Sequence, residues 1–167
     1  MNFNFLNLEY LRDKFSVDLD VGKTDFIEKF KISIDDDKGY LTDLFFGSKK
    51  DYLGEINSNG FFLRKKRNFS GPFFSTNAKG KIFEEEGRNT RLEIEIRAYD
   101  AFTRLGLILT PIVFLILITI IVAKEAYPAL IVVIPISILF VILQRILGRK
   151  TIDTFRTQLI KNFSKLG

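Results

Sequence analysis

From Leu105 to Ala123 the chain runs 19 residues without a charge, and only Gly106, Thr110, Pro111 and Thr119 interrupt the aliphatic side chains. A helix needs about 20 such residues to cross the hydrocarbon of a bilayer, so this run restricts the fold more than any other feature. A second uncharged run, Ala126 to Leu143, extends through Ile146 and Leu147, with Gln144 and Arg145 falling at a water interface. Only Lys124 and Glu125 separate the two. A pair of buried core helices would need a much larger protein around it to cover apolar surface on every side. The expectation is therefore a transmembrane helical hairpin over residues 105–147. Pro128 falls in the first turn of the second span, whereas Pro111 and Pro135 fall inside and should kink or loosen their helices. Neither run contains an ionisable residue, the usual mark of proton relays and ion pathways, and no Gly-x-x-x-Gly pair specifies close helix packing.

Charge sets the expected orientation. Residues 1–104 hold 18 basic and 18 acidic residues, Lys124 and Glu125 cancel, and the net excess of +5 lies after the second span. Arg88, Arg91, Arg97 and Arg104 precede the hairpin, and Arg145, Arg149, Lys150, Arg156 and Lys161 lie at its end or beyond. The intervening loop offers Lys124 alone. The positive-inside rule then puts both termini in the cytoplasm, with Arg104, Arg145, Arg149 and Lys150 at the membrane interface of an inner, cytoplasmic membrane. Met1 to Leu11 has neither a basic start nor an apolar core that would export the first hundred residues. The absence of Cys agrees with a reducing compartment.

Residues 1–104 read as a compact cytosolic β-rich domain. Leu8, Leu11 and Phe15 fall at helical spacing behind a possible Asn7 cap, which predicts a short helix over Asn7 to Phe15. Strand signals follow at Phe30 to Ile34 and Tyr40 to Phe46, separated by the turn run Asp35-Asp36-Asp37-Lys38-Gly39. Tyr52 to Ile56, the turn Asn57-Ser58-Asn59-Gly60 and Phe61 to Arg67 form a hairpin signal. A stronger one joins Lys81-Ile82-Phe83 to Thr90–Tyr99, where Leu92, Ile94, Ile96 and Ala98 alternate with Arg91, Glu93, Glu95 and Arg97. One face must be buried and the other wet. The fold class expected is α+β: a small antiparallel sheet or barrel with a short helix, then the hairpin, then a C-terminal amphipathic helix over residues 148–167. In that tail Ile152, Phe155, Leu159, Phe163 and Leu166 form one apolar stripe, with Lys161 and Lys165 pointing away. The stripe fits an anionic lipid surface or the β domain or a neighbouring subunit equally well, because periodicity identifies a buried face but not its partner.

The chain has no His, Cys or Trp. Catalytic triads, thiol nucleophiles and the usual zinc ligands are thereby excluded, and no catalytic, metal or cofactor site is expected. Asp35 to Phe46 departs from a calcium loop, because its Gly falls fifth and its twelfth place is Phe46. Glu84-Glu85-Glu86-Gly87 reads as a turn, and Gly47-Ser48-Lys49-Lys50 has the end of a phosphate loop without its beginning. The segment that draws most attention is Arg64-Lys65-Lys66-Arg67, flanked by Phe61, Phe62, Phe69, Phe73 and Phe74. It fits a charged strand edge, contact with anionic headgroups, or a grip on an anionic ligand. Nucleic acid is disfavoured by the domain's zero net charge.

Tyr52-Leu53-Gly54-Glu55-Ile56, Gly60-Phe61-Phe62-Leu63-Arg64-Lys65, Phe73-Phe74, Gly80-Lys81-Ile82 and Thr90-Arg91-Leu92-Glu93-Ile94-Glu95-Ile96, followed by the apolar hairpin, resemble a loose group of uncharacterised bacterial two-span membrane proteins with an N-terminal cytosolic β-rich domain. The similarity covers roughly residues 50–122. It implies structural glycines and core positions and carries no catalytic residues. The sequence therefore points to a non-catalytic inner-membrane protein whose β domain binds a protein partner or small ligand. The hairpin anchors it in the lipid bilayer and joins it to further copies or to a membrane complex. The alternative is a ligand-gated, membrane-perturbing effector or channel subunit.

Overall fold

The computed structural model describes residues 8–36, 50, 52–65, 76–85, 89–99 and 101–166. It is an α+β structure in which a six-stranded sheet precedes two long apolar helices. The strands are β1 (Arg12–Leu19), β2 (Ile34–Asp35), β3 (Tyr52–Asn57), β4 (Gly60–Lys65), β5 (Asn77–Glu85) and β6 (Asn89–Arg97). Helix α1 (Lys23–Lys31) connects β1 to β2, and helices α2 (Ala101–Ala123) and α3 (Leu130–Phe163) follow β6. The strand order is β1-β6-β5-β4-β3-β2, so α1 carries the chain from one end of the sheet to the other. Among the described residues the order is open, with no closing pair between β1 and β2. Every neighbouring pair is antiparallel except β2 with β3, and the sheet is therefore mixed.

The two hairpins legible in the sequence form as expected. In β6 Thr90, Leu92, Ile94 and Ile96 are buried, and β5 sets Ile82, Gly80 and Ala78 opposite the last three. This inner face is covered by two helical segments. On α1, Phe26 and Phe30 stand four residues apart and so share a face. Both are buried, and their rings stack 5.5 Å apart. The second cover is the last part of α3, where Ile152, Phe155, Leu159 and Phe163 are all fully buried. Phe163 meets Phe30 at 5.1 Å, Phe26 at 5.8 Å and Phe61 at 6.0 Å, and Phe155 meets Tyr52 at 6.1 Å. The amphipathic stripe is thus part of the β domain's core.

Three local expectations are corrected. Of the helix expected over Asn7 to Phe15, the described residues 8–15 form none: a single 3₁₀ turn over Leu8–Leu11 leads directly into β1. Leu11 and Phe15 satisfy a helical spacing, but Asp13, Phe15, Val17 and Leu19 also alternate, and pairing with Ile96, Ile94, Leu92 and Thr90 decides for strand. Phe30 is not in a strand, since its partnership with Phe26 on α1 wins; the strand shrinks to Ile34–Asp35. The tail is not a separate helix either, for α3 continues unbroken past Gly148. The strand expected over Tyr40 to Phe46 lies outside the described residues.

At about 1.5 Å per residue, the 23 residues of α2 and 34 of α3 measure roughly 35 and 51 Å. Pro111 and Pro135 sit within continuous helices. Helix α2 ends in a Schellman-type turn: Ala126 N–H donates to the Ile121 carbonyl, Glu125 N–H donates to that of Val122, and Glu125 takes a φ of 55°. The two helices touch where the rings of Phe114 and Phe140 meet at 6.0 Å. Between Leu105 and Leu147 most of their other apolar side chains are uncovered, Leu115 at 68% exposure and Ile131 at 77%. The hydroxyls of Thr110, Thr119 and Ser137 donate to carbonyls four residues back, so these polar groups are satisfied within their own helices.

Because α3 supplies four core side chains, a chain ending at Asp100 is expected to expose the inner face of its sheet and to aggregate or lose cooperative unfolding. Joining residues 148–167 to it through a flexible linker should restore a soluble domain with cooperative thermal unfolding. Phe163→Ala in that rescued chain should cost about 3–5 kcal/mol by denaturant titration. A well-folded shortened chain without the tail would contradict the packing.

Candidate functional site

The side chains on the outer face of the sheet fall in rows across the strands. One row carries Arg12 of β1, Arg97 of β6, Asn77 of β5 and Arg64 of β4. Arg12 and Arg97 stand directly opposite each other, an arrangement that is destabilising unless neutralised. Glu95, two residues before Arg97 on the same face, neutralises it. Arg12 Nη2 donates to Glu95 Oε2 at 2.5 Å and Arg97 Nε donates to Glu95 Oε1, so both carboxylate oxygens are engaged. The Glu95 side chain is only 20% exposed. Burial by itself would raise its pKa, but hydrogen bonds from Arg12 and Arg97 outweigh that and hold the carboxyl below its ordinary value.

Both long helices leave the sheet at this corner. Helix α2 begins at Ala101, four residues after Arg97. From α3, Arg149 Nη1 donates to the Arg12 carbonyl at 3.4 Å and Arg149 pairs with Asp153 at 3.4 Å. One helical turn pair further along α3, Arg156 pairs with Asp13 at 3.2 Å and lies 4.9 Å from the Phe15 ring centroid. The last turns reach the other side of the sheet, where Asn162 Nδ2 donates to the Tyr52 hydroxyl at 2.6 Å and Lys29 Nζ to the Leu166 carbonyl at 3.2 Å.

The basic strand is divided by its surroundings. Arg64 is buried at 7% exposure, Lys65 is half-buried with its backbone N–H donating to the Thr76 carbonyl, and Lys66 and Arg67 lie outside the described residues. Among the expected interface residues, Arg104 lies in the first turn of α2, Arg145 and Arg149 are half-buried on α3, and Lys150 is exposed. The geometry joins Arg149 to the Arg12 corner and places Arg64 three strands away from it.

A concavity of about 810 Å³ occupies the middle of the outer face, with Lys14, Glu55, Phe62, Lys79, Lys81 and Glu93 on its walls and floor. Lys79 Nζ stands 5.8 Å from the Phe62 ring centroid, within reach of a cation–π attraction. Two glycines let the central strands approach closely. Gly54 has a φ of +150° and any Cβ there would stand 1.9 Å from the Phe62 carbonyl oxygen; a Cβ on Gly80 would stand 2.1 Å from the Phe61 ring. A sheet with larger residues at these positions could not keep the same close strand approach. Among the described residues no acidic cluster could hold a metal ion. The Glu85 carboxylate pairs instead with Arg91 at 3.5 Å.

Comparisons with protein-family models, curated proteins and solved structures find no match.

The Arg12–Glu95–Arg97 link gives a pH dependence with a definite sign. A carboxyl whose folded pKa is depressed stabilises the fold above its unfolded value, about 4.3 for Glu, and that contribution is lost as pH falls through the folded value. Thermal stability attributable to this group should therefore be level near neutrality and decline below about pH 4.3. In Glu95→Gln the overall curve should be lower at pH 7, and the difference from the parent should shrink on acidification. A difference that grows on acidification would reverse the assignment.

Proposed function

We propose that the chain is a non-catalytic inner-membrane protein whose two apolar helices cross the bilayer as a hairpin. The β domain stands in the cytosol with both termini and serves as a binding module for a protein partner or a small ligand. The observation that carries this reading is the continuity of α3. Its apolar first half is largely uncovered, while its last half is core of the sheet domain. A water-soluble fold would have to hide that first half, along with the 19-residue apolar run of α2, none of which is buried within the chain. Lipid covers both without further protein.

The concavity around Phe62, Lys79 and Lys81 favours the outer face as the binding surface, since it presents an aromatic floor and charged walls on a scaffold of paired strands. An enzyme is disfavoured by the lack of His and Cys. The second reading, a ligand-gated effector or channel subunit, draws on the same continuity of α3. A shift in the domain core would be carried directly into an apolar helix. Two helices cannot enclose a pore alone, so that reading requires several copies.

Reporters fused before Met1 and after Gly167 should both report cytoplasm, and one inserted beside Lys124 should report the opposite side. Termini on different sides would overturn the hairpin. Stoichiometry measured in native membrane extracts separates the two functions: a monomer or dimer supports the anchored binding module, whereas a ring of four or more supports the channel.

A further inference from the structure

We infer that the sheet stands on the bilayer by one corner, with Arg12, Arg97 and Arg149 against anionic lipid headgroups and the β3–β4 turn farthest from the membrane. The inference rests on the membrane reading proposed above and adds to it a lipid-contact surface that does not include the basic run beginning at Arg64.

Two independent chain paths lead to that corner. Along α3, Arg149 follows the last apolar residue of the span, Leu147, by two positions, about 3 Å of helix rise. The headgroup layer of one leaflet is roughly 5–8 Å deep, so Arg149 falls within it, and the Arg12 carbonyl it bonds is drawn to the same level. Along α2, the apolar run starts at Leu105, so residues 101–104 add about 6 Å of rise before the three residues that lead back to β6 and Arg97. Arg12 and Arg97 are register partners. Both helices thus join the strand ends that carry this pair.

Beyond Arg149, α3 moves over the inner face from β1 toward β3 and β4. Arg156 contacts Asp13 and Phe15, then Asn162 contacts Tyr52 and Phe163 contacts Phe61. Strands β3 and β4 therefore lie farther along the helix than β1. Arg64 stands three strands from Arg12, about 14 Å at ~4.8 Å per strand, which exceeds the depth of a headgroup layer. The corner also has the right sign. Arg12 and Arg97 share the carboxylate of Glu95, Glu9 also acts on Arg12, and Arg149 is paired with Asp153, so the excess of positive charge near the corner comes from Arg145 and Lys150 on α3 and from Arg104 in the sequence. Position at the end of the sheet gives the contact a structural consequence: the bilayer covers the start of β1, which is the terminal strand among the described residues.

The chain contains no Cys, so single labels can be placed without background. Fluorophores at Lys14→Cys, beside the corner, and Ser58→Cys, on the β3–β4 turn, are compared in the full chain reconstituted into phosphatidylcholine vesicles with and without phosphatidylglycerol. Headgroup-attached nitroxide lipid serves as quencher. Thr119→Cys, read with an acyl-chain nitroxide, reports insertion of α2. Quenching at Lys14→Cys should exceed that at Ser58→Cys severalfold and should rise with phosphatidylglycerol in a salt-sensitive way. Arg12→Gln with Arg97→Gln should abolish the rise. Glu95→Gln, which frees both guanidiniums without removing either, should enlarge it by up to about fivefold per charge, and it tests the inference even where the double variant fails to fold. Equal quenching at the two labels, or indifference to phosphatidylglycerol, overturns the inference while a quenched Thr119→Cys label leaves the membrane reading standing. An unquenched Thr119→Cys label overturns both.

Discussion

Burial of one helical stripe governs this structure. Ile152, Phe155, Leu159 and Phe163 are fully buried against a sheet that ends more than fifty residues earlier in sequence. Each such side chain contributes about 1.5–3 kcal/mol when removed from water, and those figures are upper estimates because denatured chains already bury some apolar surface. A domain is held by only about 5–15 kcal/mol in total. The end of α3 is therefore as necessary to the sheet as any strand, although the apolar spans separate it from them in the chain. Contacts between these parts close a long loop, which requires two helices to form and turn back before the core can be completed.

This interlock turns a domain beside two helices into one body with them. The polar contacts at the edge of the interface act as orienting links: Arg156 to Asp13 fixes α3 on β1, and Asn162 to Tyr52 fixes it on β3. Exposed ion pairs contribute little stability, so their effect is on direction more than on strength. The alternation of β4 completes the connection between the two faces. Phe61 points inward to Phe163, while its neighbour Phe62 points outward to the concavity. A ligand on the outer face that binds one arrangement of β4 better than another would bias the seat of α3 by that difference in affinity and no more.

The sequence revealed what depends on local pattern. Hairpins β3–β4 and β5–β6 were legible because strict alternation and turn residues agree, and the two long apolar helices because their uncharged runs are long and nearly uninterrupted. Residues 12–15 were misread as helix because Leu11 and Phe15 satisfy period four while Phe15, Val17 and Leu19 satisfy period two, and only pairing with β6 breaks the tie. Helix α1 was missed although Phe26 and Phe30 stand one turn apart, a spacing too short to be decisive alone. The Arg12–Glu95–Arg97 link could not be read at all, since its partners lie 83 residues apart. The basic run was conspicuous in one dimension, yet folding buries Arg64 and assembles a different set of arginines from three separate segments.

Net charge also conceals distribution. Residues 1–104 sum to zero, but register gathers Arg12, Arg97 and Arg64 into one row at the end of the sheet from which both apolar helices leave. At the opposite end stand Asp18, Glu84 and Glu85, with Arg91 pairing to Asp18 and Glu85. Such a domain has no long-range pull on an anion, because the two ends cancel beyond a Debye length of about 8–10 Å. Within that distance the ends differ in sign. A polarised, neutral domain is thus poorly suited to recruiting a distant polyanion and well suited to holding an orientation against a charged surface it already adjoins, which is the condition the two apolar helices impose when embedded in lipid.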